Sequence, residues 1–455
     1  MKTILSIITI ILLNASLIAQ VDHSEFIDGP FNTPQEVTET CLACHDGIDK
    51  DIMLTRHWNW LGDEFTDKNG VKTRIGKQNI INNYCIAIPS NLPRCTSCHI
   101  GYGWKDSSFD FTDGRNIDCL ICHDQTGKYK KTPTAAGMPD PSVDLLSVAR
   151  SVGPTTINNC SICHFNGGGG TGVKHGDMDG SMLNPSPALD VHMGGLGFTC
   201  SDCHAGENHN ILGASHGSIA AGENHISCSD CHSDRPHRKK MINDHTEAVA
   251  CETCHIPTFA REEPTKTWWD WSTAGHNKKV QLDEFGMPDY AKKKGDFRWD
   301  KNVIPDYAWY NGSADYYRFG DKIKPEEVLE LNKLAGNIDD ANAKISPFKV
   351  MRGKQIYDSR NNYLIVPKLF GKDGYWTSFN WNSAAKLGMK EINLPYSGKH
   401  GFIETSMYWP INHMVAPIEE SLKCTDCHSK SGNKRLNWEQ LGYQGDPMLA
   451  GGRFR

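Results

Sequence analysis

The chain repeats one five-residue frame eight times, and this constrains what it can fold into more than any other feature. The frames are CLACH (Cys41, Cys44, His45), CTSCH (Cys95, Cys98, His99), CLICH (Cys119, Cys122, His123) and CSICH (Cys160, Cys163, His164). Four more follow: CSDCH (Cys200, Cys203, His204), CSDCH (Cys228, Cys231, His232), CETCH (Cys251, Cys254, His255) and CTDCH (Cys424, Cys427, His428). A random chain of this length with 17 cysteines and 20 histidines would hold about 0.03 such frames, so coincidence is excluded. The frame is the attachment signal of a c-type haem. Two thiols three positions apart add to the two vinyl groups on one porphyrin edge, and the next residue swings its imidazole beneath the ring to ligate the iron. A structural zinc site has no need of a histidine directly after the second cysteine every time. Disulfides and dithiol redox motifs fail on the same count. Eight covalently bound haem c groups are expected.

The haems also account for the composition. Only 38% of the 455 residues are hydrophobic, against roughly 45–50% in ordinary domains. Eight apolar discs replace the missing aliphatic core. A formal charge of −6 gives no sign of a nucleic-acid partner. At the start, MKTILSIITIILLNASLIAQ places Lys2 before an apolar run from Ile4 to Leu13, which reads as a signal peptide over residues 1–20. That run is too short for a stable membrane span. The mature chain is therefore expected to be periplasmic or otherwise exported.

Seven motifs fall within residues 21–260, too close together for conventional domains between them. This segment is expected to be a haem-binding core of short helices and loops. Residues 261–423 contain no haem motif but hold eight of the 12 tryptophans, and they read as an aromatic-rich, partly β-structured insertion. Residues 424–455 carry the eighth motif and a tail. The expected fold class is a mostly α and irregular multihaem cytochrome c built around packed haems. Within the insertion, PEEVLELNKLAG predicts a helix stopping near Gly336, and NYLIVPKLF from Asn362 to Phe370 reads as β, interrupted by Pro367. CSDCHAGENH and CSDCHSDRPH echo each other, with His209 and His237 each five residues after a motif histidine. A duplicated haem unit and a shared local turn both explain the echo.

Beyond the motifs, 12 histidines remain, too many for surface residues alone. Bis-histidine ligation saturates an iron and suits electron transfer, whereas catalysis needs a sixth position that opens. Proximity to the motifs and the echo select His57, His192, His209, His216, His237, His245 and His413 as distal ligands, with His175 and His225 in reserve. That is seven for eight haems.

Several segments together resemble the octahaem tetrathionate reductase family of periplasmic cytochromes. They are the eight-motif layout, NNYC at Asn82 to Cys85, CHFNGGGG at Cys163 to Gly170, VKHGD at Val173 to Asp177 and INHMVAP at Ile411 to Pro417. The resemblance covers nearly the whole mature chain. It implies that the haem on Cys95, Cys98 and His99 carries a lysine, Lys174, as its distal ligand, and that Cys85 is the active-site cysteine. Where the family has an Asp three residues before the lysine, this chain has Thr171, a departure that bears on acid–base chemistry and substrate preference. Read physically, lysine binds iron only as the neutral amine, so its pKa must fall from about 10.4. Gly167 to Gly170 and Gly172 would let the backbone approach a haem face. Cys85 is the one cysteine outside a haem frame, and a thiolate can attack a sulfur–sulfur bond.

These readings point to a multi-electron reductase of tetrathionate and/or nitrite and hydroxylamine. Its substrate would be a small anionic or nitrogenous molecule, and its donor a redox partner cytochrome or a quinol-linked donor. Rival readings are a dedicated nitrogen-oxide enzyme and a non-catalytic electron carrier. The absence of a CxxCK frame lowers the first of these.

Overall fold

The computed structural model describes residues 22–62, 64–66, 72–81, 88–213, 226–429 and 435–451. The leader, Cys85, His216 and His225 lie outside the described residues. Among the described residues no helix is long and apolar enough to cross a membrane.

The motif-bearing part is a series of very short helices, many of them made by the motifs themselves. Ile157–His164, Cys200–Cys203, Cys251–His255 and Cys424–Cys427 each coil around their cysteine pair. Local chemistry starts several of these turns. In CSDCH and CTDCH the residue before the second cysteine is an aspartate that reaches back to the amide preceding the first cysteine. Asp202 accepts from Thr199 N at 2.6 Å, Asp230 from Ser227 N at 2.8 Å and Asp426 from Lys423 N at 2.6 Å. Each bond satisfies an orphan donor at a helix start. Apolar clusters in this half are small, such as Val37 with Leu120, Ile121 and Val148, as expected where haems fill the interior.

Residues 261–423 instead carry a continuous protein core. Its centre is the 15-residue strand Lys344–Asp358, antiparallel to His400–Pro410 on one side and parallel to Thr265–Asp270 on the other. Gly295–Asp300 and Tyr290–Ala291 extend the sheet beyond Thr265–Asp270. Trp269, Trp271, Met351, Ile356 and Met389 fill the largest apolar cluster, so the tryptophans are mainly core.

Two local expectations within this segment are corrected. Residues 325–336 form no helix. Leu329–Glu330 pairs in parallel with Thr405 and Ser406, and Asn332–Leu334 is antiparallel to Ala314–Tyr316. Asn332 is fully buried, and its amide exchanges bonds with Tyr408, donating to its carbonyl at 2.9 Å and accepting from its amide at 2.7 Å. This tertiary pairing outweighs the local helix preference of Glu and Leu. In the 362–370 run only Tyr363–Leu364 is a strand. The chain then leaves the ladder, and the Pro367 carbonyl accepts from the side chains of Ser90 and Asn91.

Candidate haem centres

Seven of the eight motif imidazoles face a second imidazole at nearly the same spacing. Ring centroids lie 6.3 Å apart for His45 and His23, 6.4 Å for His123 and His209, 6.2 Å for His164 and His57, and 6.3 Å for His204 and His413. They lie 6.1 Å apart for His232 and His192, 6.0 Å for His255 and His237, and 6.2 Å for His428 and His245. The interplanar angle varies from 15° to 78° over the same pairs, so ring stacking does not set the distance. Two imidazoles sharing one iron would stand at this spacing: with each nitrogen roughly 2 Å from the metal and about 1.1 Å from its own ring centre, the centroids come out roughly 6 Å apart.

The other ring nitrogen is often engaged. Nδ1 of His123 donates to Gly153 O at 2.9 Å, that of His204 to Leu212 O at 2.9 Å and that of His245 to Met241 O at 2.8 Å. His428 uses Asp446 at 2.6 Å and His413 uses Asp177 at 3.0 Å. These bonds fix the tautomer and leave Nε2 for a metal.

Of the seven histidines selected as distal ligands, six face a motif imidazole, and His216 lies outside the described residues. The seventh facing imidazole is His23, which the sequence reasoning missed. His175 instead packs edge-on against Trp409, with centroids 4.8 Å apart.

His99, of the second motif, is the exception. Among the described residues it faces aromatic side chains, with centroids 4.8 Å from Trp104, 5.0 Å from Trp58 and 5.5 Å from Trp60. Its Nε2 donates to Trp58 O at 2.7 Å, and its buried Nδ1 has no hydrogen-bond partner among the described residues. Burial pulls the ring's pKa down to about 3, which keeps it neutral and leaves one lone pair for a metal.

Lys174 lies beside this motif and is 8% exposed. Its Nζ is 5.6 Å from the Trp409 ring centre. In the polypeptide the Cys98 sulfur lies against Cys163 and in the field of Lys77, Lys131 and Lys174. The glycine run serves Lys174 directly: Gly168 has φ +82°, and a Cβ there would lie 2.7 Å from Lys174 Cγ. Behind the loop, Lys349 on the central strand is 1% exposed, with burial drawing its ammonium down to about 7. Its Nζ donates to Val173 O and Lys174 O at 2.9 Å each and to Thr265 Oγ1 at 2.5 Å. Thr171 donates to Glu263 Oε2 at 2.9 Å, so a carboxylate from another segment reaches the position of the family departure. Nothing in the sequence marked Lys349 or Glu263, because each reaches the site from a distant part of the chain, 175 residues from Lys174 and 92 from Thr171.

The motifs also touch one another. In the polypeptide the sulfurs of Cys41 and Cys119, Cys98 and Cys163, Cys160 and Cys200, and Cys228 and Cys251 lie next to one another. Electrostatic contact links Cys122 with Cys160, Cys203 with Cys231, and Cys254 with Cys424.

Such a fold, with eight attachment frames and seven facing imidazole pairs, defines a multihaem cytochrome c. The crystal structure of octaheme cytochrome c from Shewanella oneidensis superposes with a TM-score of 0.89 at 50% sequence identity, covering 94% of this chain and 98% of that one. This chain belongs to the octahaem tetrathionate reductase family, and its cofactors are eight covalently bound haem c groups. The family described as bacterial cytochrome c matches residues 266–431, and that of cytochrome c7 and related cytochromes c matches 187–256. An uncharacterized protein of Archaeoglobus fulgidus is 27% identical over 246 residues, covering 42% of this chain and 80% of that protein.

Proposed function

We propose that the protein is an exported, periplasmic multihaem reductase whose catalytic centre is the haem at Cys95 and Cys98, with Lys174 as its displaceable distal ligand. One asymmetry carries the reading: among the described residues seven motif imidazoles each face another imidazole, whereas His99 does not and has the buried Lys174 near its motif. The seven facing histidines, His23, His57, His192, His209, His237, His245 and His413, are the proposed saturating ligands. When bound, the haems supply one-electron transfer and, at the second motif, an iron that substrate can reach.

The chain's own groups set what that centre accepts. Lys77, over the Trp60 ring at 4.3 Å, brings positive charge to the second motif, and Lys174 adds to it only once displaced and protonated, whereas Lys131 is neutralised by Asp118 at 2.8 Å. The surplus favours anions, which places tetrathionate and nitrite ahead of neutral hydroxylamine. For tetrathionate, two electrons cleave the central S–S bond and release two thiosulfates. Cys85, ten residues before the second motif, is the proposed sulfur-handling thiol. The electron donor is a redox partner cytochrome or a quinol-linked protein.

The test is EPR of the oxidised protein with and without cyanide, in wild type and Lys174→Ala. We expect one haem distinct from seven bis-histidine signals, and its conversion to an open or water-bound form in the variant. Identical spectra would exclude Lys174 as a ligand and favour the carrier. Steady-state assays with tetrathionate, nitrite and hydroxylamine then rank the substrates.

A further inference from the structure

We propose that Lys349 is a positioning residue for Lys174: by binding the carbonyls of Val173 and Lys174 from the central strand, it fixes the backbone from which the displaceable amine hangs. The inference rests on the reading of Lys174 as a ligand. Lys349 Nζ has three donors and uses all three, on Val173 O, Lys174 O and Thr265 Oγ1. Thr265 Oγ1 in turn donates to Gly172 O at 2.6 Å. Three consecutive carbonyls, Gly172 to Lys174, are thus tied to two neighbouring strands of the sheet. Trp409, whose ring lies 5.6 Å from Lys174 Nζ, is the cross-strand partner of Lys349. One rung of the sheet therefore supports both ends of Lys174, the backbone through Lys349 and the amine through Trp409. Gly176 makes room for the arrangement, since a Cβ there would lie 3.2 Å from Lys349 Cδ and 2.3 Å from Phe259.

The consequence concerns exchange at the metal. A lysine has four side-chain rotors, and if its backbone also moved when the amine left, rebinding would have to restore order to the whole loop. With the backbone fixed, the amine leaves by side-chain rotation alone and stays at high effective concentration near the iron. An external ligand competes against that concentration, and its apparent dissociation constant scales inversely with the fraction of sites from which the amine is absent. Loosening the anchor raises that fraction.

Cyanide binding to the oxidised holoprotein tests this in wild type, Lys174→Ala, Lys349→Met and Thr265→Val. Lys349→Met and Thr265→Val should each lower the apparent dissociation constant at the one exchangeable haem about tenfold, with eight haems loaded and the seven bis-histidine EPR signals unchanged. A merely structural role would lower the melting temperature and leave cyanide affinity within twofold of wild type, which overturns the inference. If Lys349→Met does not load eight haems, Thr265→Val decides by the same threshold. If Lys174→Ala itself binds cyanide no better than wild type, the ligand reading fails, which is distinct from failure of the anchor.

Discussion

Asp177 is placed to tune the iron proposed to bind His413 without touching it. Burial disfavours a charge on His413, while the hydrogen bond and charge of Asp177 favour it, and the net effect raises the imidazole's pKa. For Asp177, burial raises the carboxyl, but His413 and the Asn412 amide prevail and hold it at about 2. A carboxylate on Nδ1–H makes the imidazole a stronger donor and stabilises ferric iron. Asp177→Asn keeps the shape and removes the charge, so the haem held by Cys200 and Cys203 should move to higher potential in a spectroelectrochemical titration. An unchanged or lowered potential would refute the tuning. At this scale the proximal set was fully legible, because covalent attachment forces cysteine and histidine into one pentapeptide. Distal partners carry no such constraint. His23 lies upstream of every motif, and the count gave no warning, since the chosen set already held seven histidines for seven irons.

Secondary-structure elements were legible where local chemistry builds them and illegible where distant strands do. The one-turn motif helices follow from their own caps, but residues 325–336 carry acidic residues and leucines in helical order and still enter β pairing, because Asn332 closes a rung with Tyr408. The echo between the two CSDCH segments does not extend to pairing within each segment: His209 faces His123, and His237 faces His255. What joins the elements is often polar. Asp118 is fully buried and pairs with Lys131 at 2.8 Å while accepting from Tyr102 OH at 2.9 Å, Tyr129 OH at 2.8 Å and Ile121 N at 3.1 Å. Lys131 also donates to His99 O at 2.5 Å, tying the second motif to the third. Lys131→Met would leave Asp118 buried without its cation, at a cost of about 3–5 kcal/mol. A urea midpoint unchanged from wild type would show that the pair contributes nothing.

At the scale of the whole molecule, the sulfur contacts trace a route. The first motif touches the third, the third lies beside the fourth, and the line runs on through the fifth, sixth and seventh to the eighth. The second motif alone lies off this line, joined to the fourth through Cys98 and Cys163. Chain order hides the branch, since CTSCH stands second in sequence, and only folding brings Cys98 against Cys163. A terminal branch suits a centre that consumes electrons, because substrate there interrupts no through traffic. Among the described sulfur contacts it also makes the fourth haem, faced by His164 and His57, the proposed gate to the second. Replacing an axial histidine by methionine raises a haem's potential, so His57→Met should turn the gate into an electron trap. In stopped-flow reduction the fourth haem should fill early and the second should lag behind it. Turnover with tetrathionate or nitrite should fall while reduction of the other six haems keeps its wild-type rate. If turnover is undiminished although the fourth haem's potential has risen, electrons reach the second motif by another path, and the branch drawn from these contacts is wrong.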